Sequence, residues 1–369
     1  MARYFLNDQP LLRRSPDKQL IVSLERLVRD FPPKSLQPGG GLYYGPTSVA
    51  FLFFVLAKHY KDLEVCDRTL AAWSNAYLEV VSGRFEEFRG PRPDRCGTIE
   101  DMMSLLALTA ASGKNATVAR RLCEYITTVR MPNASNEWLY GRAGYLYLLR
   151  LVRSSFASDP KTLEMIDDTA DYVIEAILAS PRPWTWHGKV YVGAVHGIIG
   201  IITQIVLTNP SYGPRVEHHL DSLLQNQHES GNWPSTLPDG SDRLVQFCHG
   251  APGVVSSLLS IEHYFPNLKD RIDDAIAAGR AVIKEKGMLT KEPCLCHGTL
   301  GNALALESTD FDHLLAYTTP GVIRLLEEQG VMEPSNNPES LWCGEAGRAW
   351  TWAVADKGLP KRFIGYNDI

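Results

Sequence analysis

No apolar run in this 369-residue chain approaches the ~18–20 residues needed to span a bilayer. The longest, Val49 to Ala57, has the length of a buried core helix. Met1-Ala-Arg-Tyr-Phe-Leu-Asn-Asp8 lacks the apolar stretch and small-residue cleavage site of a secretory signal, so a cytoplasmic location is expected. Peripheral membrane association stays open, although Ala2 removes the glycine that myristoylation requires. Basic charge is not in excess either. The 37 Lys and Arg face 42 Asp and Glu, a net charge of −5, which argues against nucleic acid as a partner. Period-2 alternation between Gly/Asn turns is missing, which argues against a β fold. With no secretory signal, the seven cysteines read as thiols rather than as a disulfide framework.

What the chain does contain is a repeat. Gly-x-x-Gly followed by an apolar run occurs at Gly141, Gly197, Gly250, Gly298 and Gly344, at spacings of 56, 53, 48 and 46 residues. Degenerate copies at Gly97-Thr-Ile-Glu100 and Gly45-Pro-Thr-Ser48 extend the series to seven units. The segment after each motif, such as Tyr145–Leu149 or Ile201–Val206, is too apolar all round for a surface helix. The segments before them, such as Lys18–Asp30 and Asn115–Arg130, carry apolar residues at helical spacing with charged opposite faces.

Seven helical hairpins cannot each bury an apolar helix alone. Packing the inner helices as a closed ring, with the amphipathic helices outside, solves the problem. The expected fold is therefore all-α, an α/α toroid of seven inner and seven outer helices. Glycines at the start of each inner helix would let backbones approach closely. Ser154–Thr162 and Gly330–Ser340 are the longest polar connections, and no linker is evident, so residues 1–369 are expected to form one domain.

Three motif entrances carry metal-ligand residues: Val195-His196-Gly197, Phe247-Cys248-His249-Gly250 and Cys294-Leu295-Cys296-His297-Gly298. A closed ring would bring them to one end of its axis. Zinc takes thiolate and imidazole in a tetrahedron, and a catalytic site leaves one position open. Cys248, Cys296 and His297 would supply two thiolates and one imidazole. Spacing alone leaves His249 competing with His297. Cys294 and Cys343 are further ligand candidates, whereas Cys66, Cys96 and Cys123 read as core.

These entrances resemble the lanthionine synthetase C-like (LanC-like) family. The Cys-His-Gly-Ala-Pro-Gly block at 248–253 and the Leu-Cys-His-Gly-x-x-Gly-Asn block at 295–302 are similar to its two zinc-ligand signatures. Tyr-Val-Gly-Ala-Val-His-Gly-Ile-Ile-Gly at 191–200 resembles its His-Gly motif. The wording is closer to eukaryotic than to bacterial members. The resemblance implies the toroid, makes Cys248, Cys296 and His297 the zinc ligands, puts His196 at the acid/base position and matches Lys291 to a lysine of eukaryotic members. Bacterial members carry an arginine where this chain has Leu244, one residue from Arg243, and a tyrosine where it has His249. Both departures bear against peptide cyclisation.

The activity so implied is zinc-dependent addition of the glutathione thiolate to dehydroalanine or dehydrobutyrine in a protein or peptide. Eukaryotic members are also held to generate that electrophile, by eliminating phosphate from phosphoserine or phosphothreonine. In that scheme His196 supplies the proton, and Lys291 stabilises the enolate or contacts phosphate. The alternatives are a lanthionine-type peptide cyclase and a zinc- and glutathione-binding signalling protein without turnover. A glycosidase on the same toroid would want a carboxylate pair, and these motifs offer thiols.

Overall fold

A computed structural model describes residues 3–5, 7, 14–238 and 240–369, and the Met1–Ala2 reading lies outside the described residues. In chain order the helices are α1 (Pro16–Asp30), α2 (Pro46–His59), α3 (Leu70–Ser82), α4 (Asp101–Gly113), α5 (Ala116–Cys123), α6 (Ile126–Val129), α7 (Arg142–Arg153) and α8 (Pro160–Leu178). They continue as α9 (Ile198–Thr208), α10 (Gly213–Gln225), α11 (Ala251–Ile261), α12 (Lys269–Lys286), α13 (Thr299–Leu304), α14 (Ser308–Ala316), α15 (Pro320–Glu328) and α16 (Glu345–Lys357). Two short antiparallel ladders join β1 (Glu64–Val65) to β2 (Arg68–Thr69), and β3 (Val190–Tyr191) to β4 (Thr236–Leu237).

The inner helices are buried on nearly every side. In α9 every residue from Ile199 to Val206 is buried, and in α11 every residue from Ala251 to Leu258. Such helices have no face for water, so they pack on one another. The contacts run α2, α4, α7, α9, α11, α13, α16 and back to α2, which closes the expected seven-membered ring.

The outer layer has an order that repeat spacing did not show. Helices α3, α5, α8, α10, α12 and α14 each pack on the inner helix that precedes them. The seventh inner helix, α16, receives α1 from the other end of the chain. Leu20, Leu24 and Leu27 recur at helical spacing on α1 and are fully buried. Each is worth roughly 1.5–3 kcal/mol of transfer free energy, so α1 is the clasp of the ring.

Three details depart from the sequence reading. The helix expected over 115–130 is split. Asn115 caps α5 through the amides of Thr117 and Val118, but Tyr145 donates its hydroxyl to the Leu122 carbonyl at 2.7 Å. There the chain tightens into a Tyr125 N–H to Leu122 bond before α6 begins. Cys66 is not core. Cys66 and Asp67, at φ of 48° and 59°, form the left-handed pair of a two-residue hairpin turn between β1 and β2, which leaves the thiol exposed. The second repeat begins at Glu100 rather than Gly97, because the Glu100 carboxylate caps α4 by accepting from the Met103 amide at 2.7 Å.

The glycines do what close packing requires of them. A Cβ on Gly253 would lie 2.0 Å from the Phe247 carbonyl oxygen, and one on Gly301 would lie 2.0 Å from that of Leu295. In each case the chain six residues earlier folds its carbonyl onto the first helical turn. That carbonyl belongs to the residue just before Cys248 or Cys296, so the second glycine seats the cysteine.

The ring axis is filled by the segment 359–369. Phe363, Ile364 and Tyr366 are fully buried, and Phe363 stacks on Phe247 with ring centroids 4.1 Å apart. The Tyr366 carbonyl accepts from Gln204 and Arg150 at 3.0 and 3.1 Å, and its hydroxyl meets Ser257 at 2.7 Å. Phe363→Ala would empty the axis beside Phe247, the residue before Cys248. It is expected to cost about 3–5 kcal/mol of stability, measured as the shift of the denaturant unfolding midpoint at constant slope. A loss below 1 kcal/mol would show that the segment merely rests in place.

Candidate metal centre

Six inner helices are capped by Gly45, Gly141, Gly197, Gly250, Gly298 and Gly344, and the remaining one by Glu100. Counting back two residues from each cap gives Tyr43, Thr98, Leu139, Val195, Cys248, Cys296 and Trp342. Main-chain bonds join neighbouring entrances around the axis. Cys248 N–H donates to Cys296 at 3.0 Å, Cys296 N–H to Trp342 at 3.0 Å, and Trp342 N–H to Tyr43 at 3.2 Å. Leu42 to Thr98, Ile99 to Leu139 and Trp138 to Val195 carry the belt onward. Between the fourth and fifth repeats the approach is tighter, for a Cβ on Gly193 would lie 2.2 Å from the Cys248 carbonyl oxygen. Cys248 and Cys296, 48 residues apart, therefore occupy equivalent places in adjoining repeats.

One residue before each cap stand Tyr44, Ile99, Tyr140, His196, His249, His297 and Cys343. Nearly all the chemistry of the entrances falls on these two circles of positions. Ligand atoms of Cys248, Cys296 and His297 lie within 4.8 Å of one another, the group of this kind among the described residues. Both cysteines are buried and His297 is half-buried.

His249 faces elsewhere. Its ring lies 5.5 Å from that of Tyr191 and 6.0 Å from that of His196. Geometry thus brings His297, not His249, to the two sulfurs.

Electrostatics ties the three together. A hydrogen bond from Cys296 holds the Cys248 thiol well below its ordinary range despite burial, and His297 adds to the effect. The same bond and burial push Cys296 up. Burial works against a charged His297, but the adjoining Cys248 sulfur outweighs it and raises the imidazole. Gln246 Nε2 also donates to Cys248 Sγ at 3.0 Å. The Cys248 sulfur thus lies within reach of the Cys296 and His297 protons. A divalent cation bound by the three would take the place of those protons.

A cavity of about 320 Å³ opens beside His297, and Arg3, Arg243, Lys291 and Glu333 line it. Arg3 was not legible as a site residue. It arrives because the Arg3 carbonyl accepts from Thr290 N–H at 3.0 Å while Tyr4 bridges Leu289, which ties the N-terminal segment to the stretch before Lys291. Arg243, whose place was open in the sequence, faces the same cavity.

His196 stands on the other side, among aromatic rings. Trp186 stacks on it at 3.8 Å with an interplanar angle of 2°, and Tyr140 stacks at 6.2 Å. Its Nδ1 lies 2.7 Å from Oε2 of the buried Glu137, which also accepts from the Leu139 and Tyr140 amides. A carboxylate only accepts, so Nδ1 carries hydrogen and Nε2 is left as the ring's other nitrogen. Glu137 escaped the sequence reading because a single Glu four residues before a glycine carries no local signal.

Cys294 and Cys343 form a second thiol pair. A hydrogen bond from Cys294 holds Cys343 down to about 7 against burial, and burial pushes Cys294 well up.

Comparison with known proteins agrees with this architecture. The family profile described as lanthionine synthetase C-like protein matches residues 4–311. A zebrafish (Danio rerio) relative named glutathione S-transferase LANCL1 is 33% identical over 189 residues, covering 47% of this chain. The match spans 45% of that relative, less than half its length. Among solved structures, nisin cyclase superposes with a TM-score of 0.59 at 15% identity, covering 96% of this chain and 97% of the other, a likeness of fold.

Proposed function

The chain belongs to the lanthionine synthetase C-like family, and we propose that it adds the glutathione thiolate to dehydroalanine or dehydrobutyrine in a protein or peptide. The observation that carries this reading is the cavity of about 320 Å³ shared by His297 of the thiol–imidazole group and by Arg3, Arg243 and Lys291. That volume falls within the ~300–1,000 Å³ of ordinary ligand pockets. Three cations suit the two carboxylates of glutathione, or a phosphate, and Glu333 suits its ammonium group.

Two thiols and one imidazole within 4.8 Å match a Cys₂His zinc site with a fourth position for substrate. Cys248, Cys296 and His297 would hold the ion, which when bound supplies a soft Lewis-acid position that keeps a substrate thiol deprotonated at neutral pH. Arg243 and Arg3 orient the tripeptide by its carboxylates. Lys291 stabilises the negative charge that develops on the acceptor carbonyl as sulfur adds to the β-carbon. Nε2 of His196 delivers the proton that the α-carbon takes up, while Glu137 holds the ring and its tautomer.

The test is incubation of the metal-loaded protein with glutathione and either a dehydroalanine peptide or a phosphoserine peptide, followed by mass spectrometry. A thioether-linked glutathione adduct is expected on the dehydroalanine peptide. The same adduct on the phosphoserine peptide would add the elimination step. Internal rings formed from a cysteine-containing dehydrated peptide, with no glutathione adduct, would instead identify a cyclase. Bound glutathione without product would identify a binding protein.

A further inference from the structure

The reaction proposed above leaves two buried thiols at the helix entrances unused. Cys294 and Cys343 sit on the entrances of the sixth and seventh repeats, whose main chains are joined by the Cys296 N–H to Trp342 bond at 3.0 Å. Both line a cavity of about 160 Å³ that His297 and Lys291 also border. Cys343 is held from the other side as well. Its N–H donates to Ser340 Oγ at 2.9 Å, its carbonyl accepts from Ser335 Oγ at 2.7 Å, and its Sγ lies 3.5 Å from the Tyr43 hydroxyl. Two thiols that border one small cavity, on entrances whose backbones are already bonded together, are placed to form a bond with little movement of the chain.

We propose that Cys294 and Cys343 are a reversible dithiol–disulfide site, oxidised by a small hydroperoxide that enters through this cavity. Size decides the oxidant. A water molecule occupies ~30 Å³ of liquid, so the cavity admits a few molecules of that size but not a peptide disulfide. Cys343 is the attacking sulfur, since it is 8% exposed against 1% for Cys294. With hydrogen peroxide, the Cys343 sulfur bonds to one oxygen as the O–O bond breaks, and the departing hydroxide leaves as water with the thiol proton. The sulfenic acid then condenses with the Cys294 thiol, forming S–S and releasing a second water. Two sulfurs are oxidised by one equivalent and the peroxide oxygens are reduced. Two equivalents of a small thiol reverse the bond and leave as their own disulfide.

The site is distinct from Cys248 and Cys296, which a bound metal would shield. The experiment therefore uses metal-loaded protein, with metal content recorded before and after oxidation. A protein that holds no metal at the outset would tell against the zinc reading and not against this one. After titration with hydrogen peroxide and alkylation of free thiols, peptide mapping is expected to show one cross-link, Cys294 to Cys343. It should return to two alkylated thiols after dithiothreitol, with metal content unchanged. Cys343→Ser should remove the cross-link and leave Cys294 alkylated. Sulfinic acid at Cys343 with Cys294 still free, both thiols untouched at every dose, or a cross-link to Cys248 or Cys296 with metal loss would each overturn the proposal. The wild-type map alone decides these outcomes, so a poorly folding variant does not blunt the test.

Discussion

A Cys296→Ala variant is expected to lose its zinc and at least ~100-fold of its rate of thioether formation, a larger effect than the 10–100-fold that follows removal of an outer-shell partner. The loss should be specific. Cys296 joins the entrance belt through its main chain, whose bonds to Cys248 and Trp342 survive replacement of the side chain. The toroid should therefore stay folded, with its far-ultraviolet circular dichroism unchanged. Zinc per chain, measured by plasma mass spectrometry after gel filtration, is the primary readout. His249→Ala is the matched control. Its ring packs with Tyr191 and His196 rather than with the two sulfurs, so zinc should be retained. Full zinc occupancy in Cys296→Ala, or loss in His249→Ala, would move the metal elsewhere.

His196→Asn should separate proton transfer from metal binding. Loss of a general acid typically costs ~10²–10⁴-fold in kcat. Zinc content and the KM for glutathione should be little changed, because His196 does not line the cavity that Arg3, Arg243 and Lys291 share. Glu137→Gln probes the same step from behind. A glutamine at this position can donate as well as accept, so the hydrogen on Nδ1 is no longer specified, and kcat should fall in the same direction. Some stability should go with it, about 1–3 kcal/mol, since the buried Glu137 carboxylate also satisfies the Leu139 and Tyr140 amides. Thermal melts beside the kinetics separate the two contributions. An unaltered kcat in His196→Asn would leave this histidine a helix-entrance residue packed under Trp186.

How much of this was legible in the sequence can be traced residue by residue. The closed ring was, because helices buried all round admit few other packings, and the Gly-x-x-Gly series counted them. Its register failed at the second repeat, where a side-chain cap from Glu100 replaces the glycine and shifts the helix start by three residues. The split between α5 and α6 was not legible, since it depends on a hydroxyl from α7. Nor was the exposure of Cys66, which turns on two left-handed residues without glycine. Arg3, Glu137 and Trp186 escaped for a common reason. Arg3 comes from the N-terminal segment, Glu137 from the adjoining entrance and Trp186 from the loop before β3, and none sits in a repeated pattern.

By itself the sequence determined the repeat, the two kinds of helix and the residues at each entrance, because those rest on periodicity and helix starts within a few turns of chain. Only the tertiary structure decided which entrances are neighbours. Ring order sets Cys248 against Cys296 and points His297 rather than His249 at their sulfurs. It also brings Cys294 and Cys343 to one cavity, clasps α16 with α1 and fills the axis with residues 359–369. The physical reason is closure. In an open row the fifth, sixth and seventh entrances would still be neighbours, but only a ring joins the seventh entrance, at Trp342, to the first, at Tyr43, and seats α1 on α16.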